Sequence, residues 1–200
     1  MIGGLALLTR PGAPSRRGEV ESIAELVAAL GLPVARITEP GTLDGGDVLV
    51  TDRHVFVGRS TRTNAAAIDQ LTAICASGGG GLRNGEDREV VAVDVERCLH
   101  LKSAITALPD GSLVGVPGWV SREPFESRGY VVREAVETTG GDLLDLCGTV
   151  VLPADAPLTA ALLAEAGFSV ETVDVGELQK IEAGVTCMSV LIPDVPGSRG

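Results

Sequence analysis

Short apolar runs alternate along the chain with longer stretches whose apolar residues recur at helical spacing, and Gly or Pro separates them. This alternation predicts an α/β protein. Helices are predicted at 19–30, 63–77 and 159–168. Strands are predicted at 3–9, 33–38, 47–51, 54–58, 90–95, 130–136 and 169–175, with two more within 103–117 and two within 142–153.

The predicted elements repeat in a regular order. A pair of strands joined by a tight turn is followed by a helix or loop and then by another strand, and about four such units fit the chain. No repeat of sequence is evident between the units. A radial α/β propeller accommodates them, and a three-layer α/β sandwich is the alternative. A glycine-rich polar loop precedes Glu89, and residues 194–200 are predicted to form a frayed tail.

Composition narrows the class of protein. Among 200 residues, 44% are apolar and 22% charged, which is typical of a soluble enzyme with one sizeable core. A net charge of −11 argues against nucleic acid and anionic membrane surfaces as partners, because both require clustered Lys and Arg. Neither a membrane span nor a signal peptide is apparent, so a cytoplasmic protein is expected.

The four cysteines are candidate nucleophiles, and a thiolate requires exposure and a nearby positive charge. Cys187 follows a small glycine-containing segment and precedes an apolar run. Cys75 and Cys147 fall on apolar faces of a predicted helix and strand, which indicates core positions. Cys98 lies two residues before His100, so both would share one face of a strand, and Cys98 stays a rival of Cys187. No CxxC spacing is present, so no metal site is expected.

Two histidines and a pair of carboxylates supply acid–base candidates. His100 lies between two leucines, so a strand would direct it away from the core, toward solvent or a cavity. His54 falls in a predicted hairpin turn, where exposure is expected. Asp44 and Asp47 flank a Gly-Gly pair just before a strand. Asp44 could orient His100, although on residue chemistry alone an ordinary Asp-Gly turn is the better explanation of this stretch.

Five segments, taken together, resemble one family. TRPGAPSRRGE, EPGTLDGGDVLV, GRSTRTN, LHLKSA and GVTCMS occur in the order found in dimethylarginine dimethylaminohydrolases, which belong to the guanidine-modifying pentein superfamily. The resemblance runs from about Leu7 to Leu191. Lys102, in LHLK, stands where arginine deiminases typically carry Asp, so the resemblance favours the dimethylarginine hydrolases. It implies a pentein-type α/β propeller of ββαβ modules.

The resemblance implies a catalytic triad. Cys187 would attack the guanidinium carbon of a methylated arginine and form a covalent thiouronium adduct. His100 would protonate the leaving methylamine and then activate water to release citrulline, while Asp44 would orient His100. Neither metal nor organic cofactor is needed, because the substrate is already a cationic electrophile.

Further positions are implied to bind the small-molecule substrate. Arg16 and Arg62 match arginines that bind its α-carboxylate, and Ile181 matches a position whose backbone carbonyl receives its α-amine. The family has five modules, and residues 1–200 match about four of them in a single domain, without an N-terminal module that contacts the guanidinium. Two explanations stay open: the chain starts inside a longer natural protein, or homo-oligomerisation compensates for the exposed edges. The alternatives are another guanidine hydrolase, such as an arginine deiminase, a silent protein that binds arginine analogues, or an inert folded remnant.

Overall fold

The computed structural model describes residues 1–76, 88–181 and 183–191. The predicted glycine-rich loop and the predicted tail at 194–200 lie outside these residues. Within them the chain is mixed α/β, as the alternation of apolar patterns predicts. No helix in the described ranges has the length and apolarity that a bilayer crossing requires.

Eleven short strands and six α-helices are present in the described part of the chain. The strands are β1 Ala6–Leu8, β2 Val34–Arg36, β3 Val48–Val50, β4 His54–Arg59, β5 Glu89–Asp94, β6 Ile105–Ala107, β7 Leu113–Gly115, β8 Val132–Glu134, β9 Leu144–Leu146, β10 Thr149–Pro153 and β11 Ser169–Val173. The α-helices are α1 Glu19–Ala29, α2 Ala65–Ala76, α3 Leu101–Ala104, α4 Glu123–Glu126, α5 Pro157–Glu165 and α6 Gly176–Gln179. Short 3-10 turns span Pro14–Arg16, Gly45–Asp47 and Thr138–Gly141.

The strands form three complete ββαβ modules and one two-stranded unit. In the modules β3-β4-β5, β6-β7-β8 and β9-β10-β11, the first pair is antiparallel and the second pair parallel. A helix connects each parallel pair, as a crossover between parallel strands requires. β1 and β2 pair in parallel across α1. The predicted repeat is confirmed as small separate sheets, not one continuous sheet.

Helix α2 shows how local sequence produces a module. Asn64 precedes the helix and its side chain accepts a hydrogen bond from Ala67 N at 3.0 Å, which satisfies a free amide of the first turn. The buried side chains recur at helical spacing: Ala67, Ile68, Leu71 and Cys75. They pack on Val55 and Val57 of β4, so each sheet is covered on its outer face by its own helix.

The first strand of each module lies toward the centre of the molecule, because β3 packs against β6 and β6 against β9. Three apolar clusters fill the spaces between successive modules and beneath the helices. One of them stacks Phe56 on Phe125 at 4.5 Å between ring centroids, which joins the first two complete modules. This radial arrangement places the segments that immediately precede β3, β6 and β9 side by side at one end of the molecule.

Candidate active site

Asp44 lies in the segment that precedes β3, and it joins three parts of the chain. Its backbone is extended, and its side chain is buried. Oδ1 accepts a hydrogen bond from Gly12 N at 2.9 Å, Oδ2 lies 3.1 Å from His100 Nε2, and the amide of Asp44 donates to Thr63 Oγ1. Burial acts to raise the pKa of Asp44, but the hydrogen bonds from His100 and Gly12 outweigh it and lower that pKa. The site therefore holds a buried carboxylate against an imidazole.

His100 occupies the segment that precedes β6. The strand predicted around it is wrong: His100 is the extended residue before the four-residue helix α3. The ring rests on Gly46, where a Cβ atom would lie only 2.6 Å from His100 Cγ. Glycine is thus required at residue 46 by the close approach of the ring. The ring nitrogen that Asp44 does not hold is the one available for proton transfer.

Asp47 lies beside Asp44 and His100, although no role for it is predicted from the sequence. It is fully buried, and it accepts hydrogen bonds from Ser60 Oγ at 2.6 Å, Thr63 Oγ1 at 2.7 Å and Leu101 N at 2.9 Å. The last bond fixes the start of α3 and therefore the backbone that carries His100. The sequence contains a signal for this structural role of Asp47, because a carboxylate at the start of an apolar strand needs several hydrogen-bond donors if it is to be buried.

Cys187 lies in a turn formed by residues 185–188, and it is exposed. Its Sγ accepts a hydrogen bond from Gly184 N at 3.0 Å and donates one to Gly184 O at 3.2 Å. No hydrogen bond joins Cys187 to His100 within the described ranges. The thiol lies within electrostatic range of Arg16 and of Lys102, which stands two residues after His100.

The three predicted binding residues lie in different surroundings. Arg16 forms an ion pair with Glu19 at 2.9 Å and interacts electrostatically with Asp44. The backbone of Arg62 packs against Gly12, where a Cβ atom would collide with the Arg62 carbonyl oxygen. Two of the predicted residues are therefore adjacent to the Asp44 segment. Ile181 is 73% exposed in the turn after α6, and its amide donates to the carbonyl of Leu178.

The other cysteines differ from Cys187. Cys75 is buried, as predicted. The prediction of a core position for Cys147 is wrong: Cys147 is exposed at the β9–β10 turn with a φ of 53°, a conformation that a strand interior does not contain. Cys98 donates to the carbonyl of His100 at 3.1 Å. Burial and the charge of Asp47 raise the pKa of Cys98 to about 11, so it stays a thiol at neutral pH.

His54 is also placed differently from its prediction. It is the first residue of β4 and is buried, because the following module covers it. His54 Nδ1 lies 2.8 Å from the hydroxyl of Tyr130, and Nε2 lies 3.4 Å from a carboxylate oxygen of Glu89. Burial lowers the pKa of His54. This histidine is part of a contact between two modules. The contact lies at one end of β3 and β6, and Asp44 and His100 lie at the other.

A cavity of about 680 Å³ lies at the same end as His54, under the turns that follow β3 and β6. Its walls include Thr51, Asp110 and Tyr130, and none of the predicted site residues. No group of three or more metal-binding side chains occurs in the part of the chain that the structure describes.

Separate ββαβ sheets arranged radially, with a carboxylate and an imidazole in contact at one end, are the architecture of the guanidine-modifying proteins with the pentein fold. Solved structures support this class. A Pseudomonas aeruginosa dimethylarginine dimethylaminohydrolase variant complexed with citrulline matches at a TM-score of 0.82 and 33% identity, over 94% of this chain and 71% of that chain. The N-terminal domain of the cyanobacterial arginine dihydrolase ArgZ shares the fold, with a TM-score of 0.80 at 18% identity.

Sequence relatives then define the family. The N(G),N(G)-dimethylarginine dimethylaminohydrolase of Streptomyces coelicolor is 44% identical over 200 residues, which cover 96% of this chain and 70% of that protein. The Pseudomonas aeruginosa enzyme is 35% identical over 187 residues, 92% of this chain and 70% of its own length. No family model matches the chain. The chain belongs to the dimethylarginine dimethylaminohydrolase family.

Proposed function

We propose that this protein hydrolyses asymmetric dimethylarginine to citrulline and dimethylamine, and that it accepts monomethylarginine as a second substrate. The observation that carries the proposal is the 3.1 Å contact between buried Asp44 and His100, with the Cys187 thiol within electrostatic range of Lys102. Membership of the family supports the choice of substrate. No cofactor is required, because each step is a proton transfer or a nucleophilic displacement at carbon.

In the first half of the reaction, the thiolate of Cys187 attacks the guanidinium carbon of the substrate. The C–S bond forms, and the bond from that carbon to the dimethylamino nitrogen breaks. His100 donates a proton to the departing dimethylamine, since a neutral amine leaves more readily than an amide anion. Asp44 holds the imidazole in orientation and stabilises its charged form while it carries the proton. The product of this half is a covalent thiouronium adduct on Cys187.

In the second half, water replaces the sulfur. His100, now neutral, accepts a proton from a water molecule that attacks the same carbon. The C–S bond then breaks, the thiolate is regenerated and citrulline leaves. The guanidinium cation of the substrate and one water are thus converted into citrulline, dimethylamine and one proton, which the amine takes up in solution to form dimethylammonium. The hydrogen bond that the Cys187 thiol donates to Gly184 O is lost when the thiolate forms, whereas the one that Sγ accepts from Gly184 N can persist.

The rest of the substrate is an amino acid with an α-carboxylate and an α-amine. We assign the carboxylate to Arg16 and Arg62, because guanidinium groups bind carboxylates in a bidentate manner. Arg16 is already directed toward the site by its interactions with Asp44 and Cys187. The backbone carbonyl of Ile181 would accept the α-amine. The negative net charge of the protein favours the approach of a cationic substrate.

A substrate panel tests the proposal. Citrulline and the released amine are measured together for arginine, monomethylarginine and asymmetric dimethylarginine. We expect equal amounts of citrulline and dimethylamine from the dimethylated substrate, and little turnover of arginine. Preferential release of ammonia from arginine would instead assign an arginine deiminase activity. Binding of all three compounds without citrulline would assign a silent binding protein.

A further inference from the structure

The sequence contains a short repeat that the module pattern does not show. Gly45-Gly46-Asp47 stands directly before β3, and Gly140-Gly141-Asp142 stands one residue before β9, so each precedes the first strand of a module. In both, the two glycines lie in a 3-10 turn. In both, the second glycine is packed closely: a Cβ atom on Gly46 would meet His100, and one on Gly141 would meet Ala104 O at 3.0 Å. The two aspartates are therefore equivalent in the fold.

Asp47 shows what an aspartate at this place does. Its carboxylate fixes a neighbouring segment by accepting the amide of Leu101, and that segment carries His100. Charge-assisted hydrogen bonds of this kind are stronger than neutral ones, so they hold a backbone firmly. The motif thus serves to position a catalytic side chain that belongs to another part of the chain.

Asp142 makes the corresponding contacts to the turn that carries Cys187. Its Oδ1 accepts hydrogen bonds from Thr186 Oγ1 at 2.6 Å and from Thr186 N at 3.2 Å. Gly184 fits against the same carboxylate, where a Cβ atom would collide with Asp142 Oδ2. Val185 of the turn is buried, whereas Met188 and Val190 project into solvent. The turn is therefore held by the packing of Val185 and by the hydrogen bonds between Thr186, next to Cys187, and the carboxylate of Asp142.

We propose that Asp142 is the positioning residue of the nucleophile, and that its hydrogen bonds to Thr186 fix the turn so that Cys187 faces His100. The inference rests on the proposed role of Cys187 as the nucleophile. Asp142 acts through Thr186 and does not touch the substrate. The repeated Gly-Gly-Asp motif thereby organises both halves of the catalytic pair, with Asp47 placing the imidazole and Asp142 placing the thiol.

Lys102 gives a reason for a carboxylate in this position. It is the second residue of α3, it is partly buried, and it interacts electrostatically with Asp142, Cys187 and Asp47. Burial lowers the pKa of Lys102, and these negative groups oppose that effect. An amide in place of Asp142 would accept the same hydrogen bonds from Thr186 but would not help to keep an ammonium group charged beside the thiol. Asp142 therefore combines anchoring with charge balance.

The test compares Thr186→Val, which removes the Oγ1 donor while keeping the shape, with Thr186→Ser, which restores it. Thr172→Val, on the exposed face of β11, is the matched control. Two quantities are measured: kcat and KM for asymmetric dimethylarginine, and the rate at which iodoacetamide alkylates Cys187, followed by peptide mass mapping. Thermal unfolding verifies that each variant is folded. Asp142→Ala is added to remove both hydrogen bonds.

We expect Thr186→Val to lower kcat and the alkylation rate of Cys187 by about tenfold to a hundredfold, with KM nearly unchanged. Thr186→Ser should recover most of both rates, and Asp142→Ala should lose at least as much as Thr186→Val. Equal rates in Thr186→Val and Thr172→Val would overturn the proposal. Alkylation needs no substrate, so it tests the anchor even if the parent protein releases no citrulline, an outcome that would count against the proposed function alone.

Discussion

Replacement of Gly46 by alanine is expected to disable His100 without unfolding the protein. A Cβ atom at residue 46 would lie 2.6 Å from His100 Cγ and 2.8 Å from Nδ1. Ordinary contact between such atoms begins near 3.4 Å, so the ring must retreat by about 0.8 Å. A ring displacement of that size misaligns the 3.1 Å hydrogen bond between His100 and Asp44.

A displacement of nearly 1 Å in a reacting group costs about a hundredfold in rate. We therefore expect kcat of Gly46→Ala to fall by about that factor, measured as citrulline release at saturating dimethylarginine. Gly45→Ala is the matched control, because a Cβ atom there meets nothing within 4 Å and neither glycine has a positive φ. Thermal unfolding should show both variants folded. If Gly46→Ala is as active as Gly45→Ala, the contact between this glycine and a catalytic imidazole has been misread.

Three further outcomes follow from the structure. Cys98→Ser should retain parental activity, because a thiol with a pKa of about 11 is protonated at neutral pH and serine keeps the hydrogen-bond donor to His100 O. Loss of citrulline release in this variant would restore Cys98 as a nucleophile candidate. Lys102→Met should lower the rate at which iodoacetamide alkylates Cys187 at neutral pH, since a cation near the thiol is removed while Arg16 remains; an unchanged rate would show that Lys102 exerts no field there. Glu137→Gln should lower the free energy of unfolding by about 1–2 kcal/mol, because Glu137 accepts hydrogen bonds from Leu158 N, Thr159 N and Thr159 Oγ1 at the start of α5. Burial acts to raise the pKa of Glu137, but these hydrogen bonds outweigh it and lower that pKa below 4.5. The stabilisation by Glu137 is therefore present above pH 4.5 and is lost as the pH falls through the lowered pKa. Urea titrations of parent and variant that stay equally far apart below pH 4 would contradict this assignment.

The sequence predicts most of the elements because their signals are local. The hairpin of β3 and β4 follows from apolar runs on either side of Asp52-Arg53, and α2 follows from its apolar spacing after Asn64. The segments that carry Asp44, His100 and Cys187 are also visible in the sequence, since together they match one family. What the sequence alone leaves open is whether Asp44 touches His100, because that contact joins residues 56 positions apart.

Packing between modules explains the wrong predictions for His54 and His100, whereas Cys147 is exposed because it lies in the tight turn between β9 and β10 of one module. His54 is predicted to be exposed in a turn, but Tyr130 of the next module covers it. His100 is predicted to lie in a strand, but the hydrogen bond from Leu101 N to Asp47 favours a helical start directly after it. No role for Asp47 or Asp142 is predicted from sequence, because Gly-Gly-Asp also occurs in ordinary turns.

Self-association of the protein stays a prediction, and light scattering measures it.

The measurement that tests the central claim most directly is citrulline release from asymmetric dimethylarginine by three purified proteins: the parent chain, Cys187→Ser and Cys147→Ser. Cys147 is a matched control, since it is also an exposed cysteine in a turn but lies apart from Asp44 and His100. The account predicts activity in the parent and in Cys147→Ser, and its loss in Cys187→Ser. Undiminished activity in Cys187→Ser would contradict the account, because the thiolate would then not be the nucleophile.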